Sequence, residues 1–271
     1  MIDIQTELGQ KTIRDFEIQW SKFPQNRDYY GSLSLFEDII EPLVSVREFV
    51  GARVADIGSG TGRIVRMLAQ AGCASILAVE PANLGAIIRR NTQEFADRIS
   101  YLQATGDQLP PTGDLDFVVS IGVLHHIPDP LPVVRAAYHA LRPGGRLLVW
   151  LYGREGNELY LRLVQPLRRV THRLPHAALW ALAGVLSVPL EGYLMLCRHL
   201  QLPMRAYMLG HLGRLSPAER RLTIYDQLRP AWARYYTRQE AEDLLREGGF
   251  VDVRSHHRHG YSWTVLGTRP G

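Results

Sequence analysis

The chain has 271 residues, of which 46% are hydrophobic and 21% are charged. This composition provides enough apolar surface for a sizeable core, and it excludes a largely disordered chain. The net charge is +4, yet residues 151–225 alone hold ten arginines, no lysine and four glutamates, so the rest of the chain is slightly acidic. Because the basic excess lies in one segment that is also apolar, it does not indicate a general nucleic-acid surface.

Three features of the chain bear on its location. Cys73 and Cys197 can form neither a disulfide framework nor a thiolate metal site, so we expect a reducing, cytoplasmic location. The N-terminus has no basic patch followed by an apolar run, so no signal peptide is predicted. No uncharged apolar stretch reaches about 18 residues, so no helix is predicted to span a membrane.

Strands and helices alternate in the first half of the sequence. Short apolar runs that end in turn residues predict strands, whereas apolar positions at helical spacing predict helices. Because the strands are continuously apolar, they favour a parallel sheet that is covered on both faces. The predicted strands are 53–57, 75–80, 99–102, 116–121 and 146–151, and the predicted helices are 62–72, 83–95 and 130–141.

The C-terminal segment completes this layout. Thr237 and Glu240 have the spacing of a capping box, which predicts a helix over 238–247. Two strands, 251–254 and 262–266, are predicted to follow. The expected fold is therefore α/β, with a Rossmann-like, seven-stranded, mostly parallel sheet and helices on both faces. The predicted units are an N-terminal helical cover (1–50), a core (51–153 and 237–271) and a helical insertion (154–236).

A glycine loop between the first strand and the first helix carries the main chemical signal. It reads Asp56-Ile57-Gly58-Ser59-Gly60-Thr61-Gly62, and glycine lets the chain turn sharply and lets a ligand approach the backbone. Glu80, at the end of the next strand, can accept hydrogen bonds from both hydroxyls of a ribose. A dinucleotide fingerprint needs glycine at its sixth position, where Arg63 stands, which argues against a nicotinamide-dependent oxidoreductase.

An acid two residues ahead of three alternate glycines resembles motif I of the class I S-adenosylmethionine-dependent methyltransferases. Residues 104–110 resemble the third motif of that family, whose acid meets the adenine amino group. Residues 116–127 resemble the fourth motif, a strand end beside the transferred methyl group, and residues 141–145 match the turn into strand five. The nearest group is the ubiquinone/menaquinone-biosynthesis-like small-molecule methyltransferases. The resemblance covers residues 52–152 well and 237–268 in outline.

This resemblance implies S-adenosylmethionine as the cofactor and assigns residues to it. Arg63 either meets the methionine carboxylate or caps a surface turn. The implied cofactor-binding residues are Asp56, Gly58, Ser59, Gly60, Gly62, Glu80, Pro81, Gly106, Asp107, Gln108, Ser120 and Ile121.

Three residues are candidates for acid–base catalysis. His125 and His126 follow the fourth strand, and imidazole titrates near neutrality. Alternatively, one histidine packs against the cofactor and the other is solvated, because many relatives act mainly by positioning their substrates. Asp226 is either a base or a helix cap.

Aromatic residues outside the core are candidates for contact with the acceptor. In the N-terminal extension, Phe16, Trp20 and Phe23 resemble a segment that folds over the cofactor cleft in similar enzymes, or else they dock the extension. The predicted substrate-binding residues are Trp20, His125, Tyr225 and Tyr236.

A second group of histidines lies near the C-terminus. In a strand, His257 and His259 would share one face and His256 would lie on the other. Neither a cysteine nor a pair of acids accompanies them, so a polar strand edge is favoured over a metal site, and no metal is predicted.

The insertion contains an apolar run without charge, residues 177–190, which Pro189 and Glu191 interrupt. Arginines and histidines flank this run on both sides. Three interpretations are open: a lid over an apolar acceptor, a peripheral contact of residues 168–199 with the inner face of a membrane, or a homodimer face. The flanking basic residues are Arg168, Arg169, His172, Arg173, Arg198 and His199.

The expected function is methyl transfer from S-adenosylmethionine to a small molecule. A hydroxyl of a hydrophobic or lipid-like biosynthetic intermediate is the favoured acceptor, because the insertion is apolar. The alternatives are a polar sugar or amine intermediate, and a non-catalytic module that binds S-adenosylmethionine. Nucleic acid is not an expected partner, because residues 125–128 replace the Asn/Asp-Pro-Pro-aromatic motif of enzymes that methylate amino groups.

Overall fold

The computed structural model describes residues 4–24, 28–229 and 232–271. A seven-stranded sheet has the order β3-β2-β1-β4-β5-β7-β6. The first five strands are parallel, and β7 runs antiparallel to both of its neighbours. The predicted α/β fold is confirmed. The strands are β1 Arg53–Ile57, β2 Ser75–Val79, β3 Ile99–Leu102, β4 Leu115–Ile121, β5 Leu141–Tyr152, β6 Val251–Arg258 and β7 Ser262–Thr268.

Ten α-helices lie within the described residues, and short 3-10 turns occur between several of them. They are α1 Ile4–Lys22, α2 Leu33–Ile40, α3 Arg63–Gln70, α4 Gly85–Asn91, α5 Leu131–Ala140, α6 Glu158–Thr171, α7 His176–His199, α8 Arg205–Gly210, α9 Pro217–Leu228 and α10 Arg238–Glu247.

Both faces of the sheet are buried, as the continuously apolar strands predict. Leu68 of α3 and Phe36 of α2 belong to the cluster on one face. Val134 of α5 and Leu245 of α10 belong to the cluster on the other face. The last helix spans the predicted residues 238–247, and the Thr237 side chain accepts from the Glu240 amide as expected of the capping box.

One predicted helix boundary and one predicted strand boundary are wrong. Instead of one helix over 83–95, α4 ends at Asn91 and a 3-10 turn, Gln93–Arg98, follows it. The Thr92 hydroxyl donates to the Ile88 carbonyl oxygen at 2.8 Å, and the Thr92 backbone leaves the helical region there. Further along, α5 ends at Ala140, and Pro143, Gly144 and Gly145 lie within the long strand β5.

The arrangement expected for the C-terminal histidines is also wrong in one respect. β6 is an edge strand, as expected, but it ends at Arg258. His259 follows in the left-handed region, with φ of 48°, and its Nε2 lies 2.9 Å from Asp38 Oδ1. His259 therefore shares no strand face with His257. No group of residues that could hold a metal ion occurs in the described ranges.

The N-terminal helix α1 packs on α9. Arg229, just after α9, donates to Asp15 at 2.7 Å, and both side chains are about nine-tenths buried. One turn further along α1, Gln19 Nε2 donates to Asp226 Oδ1 at 2.7 Å. Residues far apart in sequence therefore hold α1 against the inserted helices.

Four helices, α6 to α9, lie between β5 and α10. Helix α7 continues through Pro189 and Glu191, the two residues that interrupt the uncharged apolar run in the sequence. Arg220 of α9 binds the Glu191 carboxylate through two hydrogen bonds of 2.6 and 2.9 Å. By length and composition alone, α7 could cross a membrane, although the same test also passes some helices of soluble proteins.

Apolar side chains are exposed on α6 and α7. Val185 and Val188 on α7 are 68% and 74% exposed. We use the term outer face for the exposed apolar residues of these two helices, which are Leu163, Leu167, Val170, Val185, Val188, Met195 and Leu196.

Candidate active site

One cavity of about 880 Å³ extends from the core into the inserted helices. Its cofactor end lies at the carboxyl ends of β1, β2 and β4, where doubly wound sheets bind their ligands. Its acceptor end lies between α6, α7, α8 and α9, and apolar residues predominate there. Examples from the acceptor end are Val164, Leu186, Leu190, Met208, Leu222 and Ile224.

The glycine loop lies against the cofactor end, and its backbone requires glycine. Gly58 and Gly60 have φ of 76° and 54°, a region that side chains rarely adopt. A Cβ atom on Gly58 would lie only 2.4 Å from a methyl group of Val123, so the loop packs closely on the end of β4. A Cβ atom on Gly60 would lie 3.5 Å from Trp20 Nε1. The N-terminal helix therefore comes close to this loop.

The Glu80 side chain is held in a fixed orientation at the end of β2. One carboxylate oxygen accepts from the Gly60 amide at 2.8 Å, and the other accepts from the Ala82 amide at 2.9 Å. Burial raises the pKa of Glu80, although these two hydrogen bonds oppose the rise. Glu80 lines the cavity, so its oxygens face the space in which a ribose would lie.

Asp56 lies beneath the glycine loop and does not line the cavity. It is 1% exposed, and burial raises its pKa to about 7. Its Oδ2 atom has no hydrogen-bond partner among the described residues. The Ser59 hydroxyl donates to the Asp56 backbone carbonyl at 3.0 Å, so this position supports the loop from behind.

The other cofactor candidates fall into two groups. Gly62 begins α3 and packs on α4, the Gln108 side chain accepts from the Thr105 amide, and the Ser120 hydroxyl ties β4 to β1. None of these three lines the cavity. The candidates that do line it are Gly58, Ser59, Gly60, Glu80, Pro81, Gly106, Asp107 and Ile121.

Arg63 is the first residue of α3, and it lines the cavity instead of capping a surface turn. Its guanidinium lies 4.3 Å from the centre of the Tyr30 ring, and Nη1 donates to the Tyr30 carbonyl at 3.4 Å. No carboxylate forms an ion pair with Arg63 among the described residues. Its charge is therefore available to an anionic group in the cavity.

The two neighbouring histidines occupy different environments. His126 lines the cavity, whereas His125 is fully buried behind it, with its ring stacked 3.7 Å from that of Tyr152. His126 Nδ1 lies 3.0 Å from the Trp232 carbonyl oxygen, so Nδ1 carries the proton and Nε2 has the lone pair. Burial lowers the pKa of His126 to about 4, which leaves its ring neutral at pH 7.

Asp226 is the acid at the acceptor end of the cavity. Burial raises its pKa, and the hydrogen bond from Gln19 and the charges of Arg63 and Arg168 oppose this rise. Asp226 forms no ion pair with any described residue. It can therefore take up a proton at a less acidic pH than an ordinary aspartate.

The aromatic candidates divide between the cavity and the packed interior. Trp20 and Phe16 line the cavity, and Phe16 meets the edge of His126 at 5.0 Å. Phe23 instead docks the extension, with its ring 4.5 Å from Trp180. Neither Tyr225 nor Tyr236, both 1% exposed, lines the cavity: Tyr225 packs among the inserted helices and Tyr236 in the core.

The sequence patterns missed several polar residues of the acceptor end. Thr223 precedes Asp226 by three residues and Gln227 by four, which is the spacing of one helix face, so these polar residues could have been found on that ground. Gln227 connects two phenols, since it accepts from Tyr160 at 2.9 Å and donates to Tyr152 at 3.0 Å. Arg258 is 2% exposed and forms an ion pair with Asp38, although it is far from the insertion in sequence. No local pattern could have placed it here.

The cofactor end fits S-adenosylmethionine in the types of group that it presents. Glu80 offers oriented acceptors for ribose hydroxyls, and Asp107 follows β3, where it can accept from an adenine amino group. Arg63 offers an unpaired cation for a carboxylate. The close backbone at Gly58 and Gly60 leaves room that side chains would fill.

The sheet order, the glycine loop and the acid at the end of β2 are similar to those of class I S-adenosylmethionine-dependent methyltransferase domains. Residues 55–149 match the family model described as Methyltransferase domain. The ubiquinone biosynthesis O-methyltransferase of Pseudomonas aeruginosa is 32% identical over 102 residues, which are 36% of this chain and 44% of that relative. The chain thus matches less than half the length of this curated relative.

Two solved structures share the fold at low sequence identity. The Burkholderia thailandensis 1,6-didemethyltoxoflavin-N1-methyltransferase, with bound S-adenosylhomocysteine, has a TM-score of 0.56 at 15% identity, covering 100% of this chain and 92% of that one. The magnesium protoporphyrin IX methyltransferase of Synechocystis, also with bound S-adenosylhomocysteine, has a TM-score of 0.55 at 15% identity, covering 98% and 100%. At these identities the likeness supports the fold alone.

Proposed function

We propose that the chain transfers a methyl group from S-adenosylmethionine to a hydroxyl of a hydrophobic or lipid-like biosynthetic intermediate. The observation that carries this proposal is the continuity of the cavity between the glycine loop and the apolar space among α6 to α9. One cavity can therefore hold a methyl donor and an apolar acceptor side by side. The matched segment of a ubiquinone biosynthesis O-methyltransferase supports the same class of acceptor.

In this proposal, the residues at the cofactor end bind and orient the donor. When bound, S-adenosylmethionine supplies an electrophilic methyl group on a sulfonium sulfur. Glu80 accepts from the ribose hydroxyls, Asp107 from the adenine amino group, and Arg63 meets the methionine carboxylate. Asp56, Gly62, Gln108 and Ser120 act indirectly, because they hold the loops that contact the donor. Ser59, Pro81, Gly106 and Ile121 complete the contact surface.

The acceptor end orients the second substrate and removes its proton. We assign proton removal to Asp226, which lines the cavity at its acceptor end. His126 is the alternative base, because its neutral ring has a lone pair on Nε2. His125 supports Tyr152 from behind and has no direct role in this proposal. Trp20 excludes water above the glycine loop.

The domain boundaries follow from these roles. Residues 1–50 supply the cover, 51–153 and 237–271 hold the cofactor, and 154–236 hold the acceptor. Tyr225 and Tyr236 then act as packing residues of their units instead of acceptor contacts.

The first test is a transfer reaction with S-adenosylmethionine carrying a labelled methyl group, in a host extract with the purified chain. The products are then partitioned between organic and aqueous phases. Label in the organic phase supports a lipid-like acceptor, and label in the aqueous phase would replace it with a sugar or amine. If no product forms while S-adenosylhomocysteine still binds, the non-catalytic alternative is favoured.

Binding of S-adenosylhomocysteine is measured separately by calorimetry. We expect E80Q to weaken it by about 100-fold, because removing an oriented charged acceptor costs about 1.5–3 kcal/mol. The control is E94Q, which changes a surface acid paired with Arg66 away from the cavity. Tighter binding of NADH than of S-adenosylhomocysteine would contradict the proposal.

We also propose that the outer face lies on the inner surface of a membrane, which would place a cytoplasmic enzyme beside a lipid-like acceptor. Glu191 is the sole acid in the sequence between residues 159 and 218, and Arg220 neutralises it. Exposed arginines adjoin the apolar side chains, which suits anionic headgroups. These arginines are Arg162, Arg169, Arg173 and Arg198.

Vesicle flotation with anionic and with zwitterionic lipids tests this contact. V188E should abolish flotation with anionic vesicles, whereas V50E, at a residue just before β1 that is 67% exposed, should leave it unchanged. If V188E instead converts a dimer to a monomer in sedimentation, and the wild-type chain does not float, the outer face is a homodimer interface.

A further inference from the structure

We propose that Gln19, on the N-terminal helix, is the positioning residue that orients Asp226 for proton removal from the acceptor. This inference rests on the methyl transfer proposed above. Gln19 is completely buried, and its Nε2 donates to Asp226 Oδ1 at 2.7 Å. The two residues are 207 positions apart in sequence, so the contact forms only when α1 lies on α9.

The Gln19 side chain has an unused acceptor. Its Oε1 atom is buried and has no hydrogen-bond partner among the described residues. An unsatisfied buried polar atom costs about 1–3 kcal/mol, so a residue that served only to fill space here would be better apolar. We therefore infer that Gln19 Oε1 accepts a hydrogen bond in another state of the site.

Protonation of Asp226 creates that second state. In the proposed reaction, the acceptor oxygen bonds to the methyl carbon, the carbon–sulfur bond breaks with its electron pair left on sulfur, and the acceptor proton passes to the Asp226 carboxylate. Asp226 then carries an O–H donor. Before proton transfer, Gln19 Nε2 donates to the Asp226 carboxylate. After proton transfer, a 180° rotation of the Gln19 amide lets Oε1 accept from the Asp226 O–H group. An amide can therefore hydrogen-bond to Asp226 before and after proton transfer.

The neighbouring ion pair fixes the register of this contact. Asp15 precedes Gln19 by one helical turn and binds Arg229, which follows Asp226 by three residues. Two residues of α1 thus meet two residues at the end of α9. Lys11 also contacts Asp15 at 2.6 Å, on the same side of α1. The ion pair between Asp15 and Arg229 holds α1 in place and does not touch Asp226.

Other ionisable groups also act on Asp226 and are unchanged by a substitution at Gln19. Arg63 and Arg168 favour its charged form, and Asp226 in turn raises the pKa of nearby phenols. The phenols are those of Tyr30, Tyr152, Tyr160 and Tyr225.

The test measures the pKa of Asp226 directly and needs no acceptor. The chain is labelled with ¹³C at aspartate carboxyl carbons, the Asp226 signal is identified by its loss in D226N, and it is titrated with S-adenosylhomocysteine bound. Because Gln19 donates to the charged form, Q19L should raise the pKa of Asp226 by about one pH unit. The affinity for S-adenosylhomocysteine should change less than about twofold.

The control is D15N, which breaks the ion pair of the same helix but leaves the Gln19 amide in place. It should leave the pKa of Asp226 unchanged. Equal pKa values of Asp226 in wild type and Q19L would overturn the positioning role, and so would equal shifts in Q19L and D15N, since Gln19 would then only dock α1. Failure to bind S-adenosylhomocysteine would instead contradict the proposed function.

Discussion

The two ends of the cavity are built from different parts of the chain. At the cofactor end, backbone turns between consecutive elements determine the shape, and the Glu80 carboxylate binds the backbone of its own sheet edge. At the acceptor end, side chains from helices far apart in sequence meet, as Gln19 and Asp226 do. Short-range constraints therefore determine the first end, whereas tertiary packing determines the second.

The two ends therefore respond differently to substitution. A substitution in the glycine loop meets a positive φ or a close neighbour, so little variation is tolerated there. A substitution of an apolar residue that lines the acceptor end alters the outline of the apolar space. We infer that the inserted helices determine the choice of acceptor.

The largest expected effect separates the two candidate bases of the acceptor end. D226N should lower kcat by about 10²–10⁴-fold, because general-base catalysis contributes a factor of this size. H126N should lower it by only about tenfold through altered positioning. Initial rates of label transfer to the acceptor measure both, and the reverse order of effects would assign the base to His126.

The pH dependence of that rate follows from the same assignment. Asp226 must be charged to accept a proton, and burial raises its pKa, so activity should decline as the pH falls through this raised value. D226N should lose this acidic limb of the profile.

The second effect concerns stability at the cofactor end. The pKa of Asp56 is about 7 in the folded chain and near 3.8 when unfolded, so folding favours its protonated form. This contribution to stability is complete below pH 4 and is lost as the pH rises through 7. Between these limits, D56N should reduce the slope of the unfolding free energy against pH by up to about 1.4 kcal/mol per pH unit.

Urea unfolding at successive pH values measures this slope. D107N serves as the control, because Asp107 lies at the same end of the cavity but is exposed. Parallel curves for wild type and D56N would show that Asp56 is ionised in the folded chain at all of these pH values.

A third effect should be confined to the inserted helices. E191Q removes the partner of Arg220, which is only 9% exposed, and leaves a buried charge without compensation. We expect the inserted helices to lose about 1–3 kcal/mol of local stability while the sheet is unaffected. Hydrogen exchange resolved by segment measures this, and E94Q, at an exposed pair, is the matched control. Equal exchange in α7 of both variants would contradict the expectation.

The smallest effect compares two helix caps of the same type. Thr237 caps α10 of the core, and Ser216 caps α9 of the insertion, each within a capping box. T237A and S216A should each cost about 1 kcal/mol. We expect T237A to lower the global unfolding free energy and S216A to raise exchange only in the inserted helices. A global effect from both would mean that the two regions unfold as one unit.

The sequence predicts the sheet and the position of the glycine loop well, because both depend on local patterns. Apolar runs identify all seven strands, and the glycine spacing places the loop. The sequence could not separate His125 from His126, since adjacent residues share every local signal and only tertiary packing turns one of them away from the cavity.

Predictions for the insertion were weaker for the same reason. Nothing in the sequence indicated that Glu191 pairs with Arg220, a residue 29 positions away on another helix. Tyr225 and Tyr236 were predicted to bind the acceptor, yet both side chains are buried and neither lines the cavity. No sequence pattern indicated a role for Gln19, because that role depends on a residue in another helix.

The position of α1 has a consequence for ligand exchange during turnover. The same helix places Trp20 beside the glycine loop and Gln19 beside Asp226, so it contacts both ends of the cavity at once. If α1 must move away for ligands to exchange, neither the donor nor the acceptor can leave without that movement. We expect the exchange of the two ligands to be coupled through movement of α1.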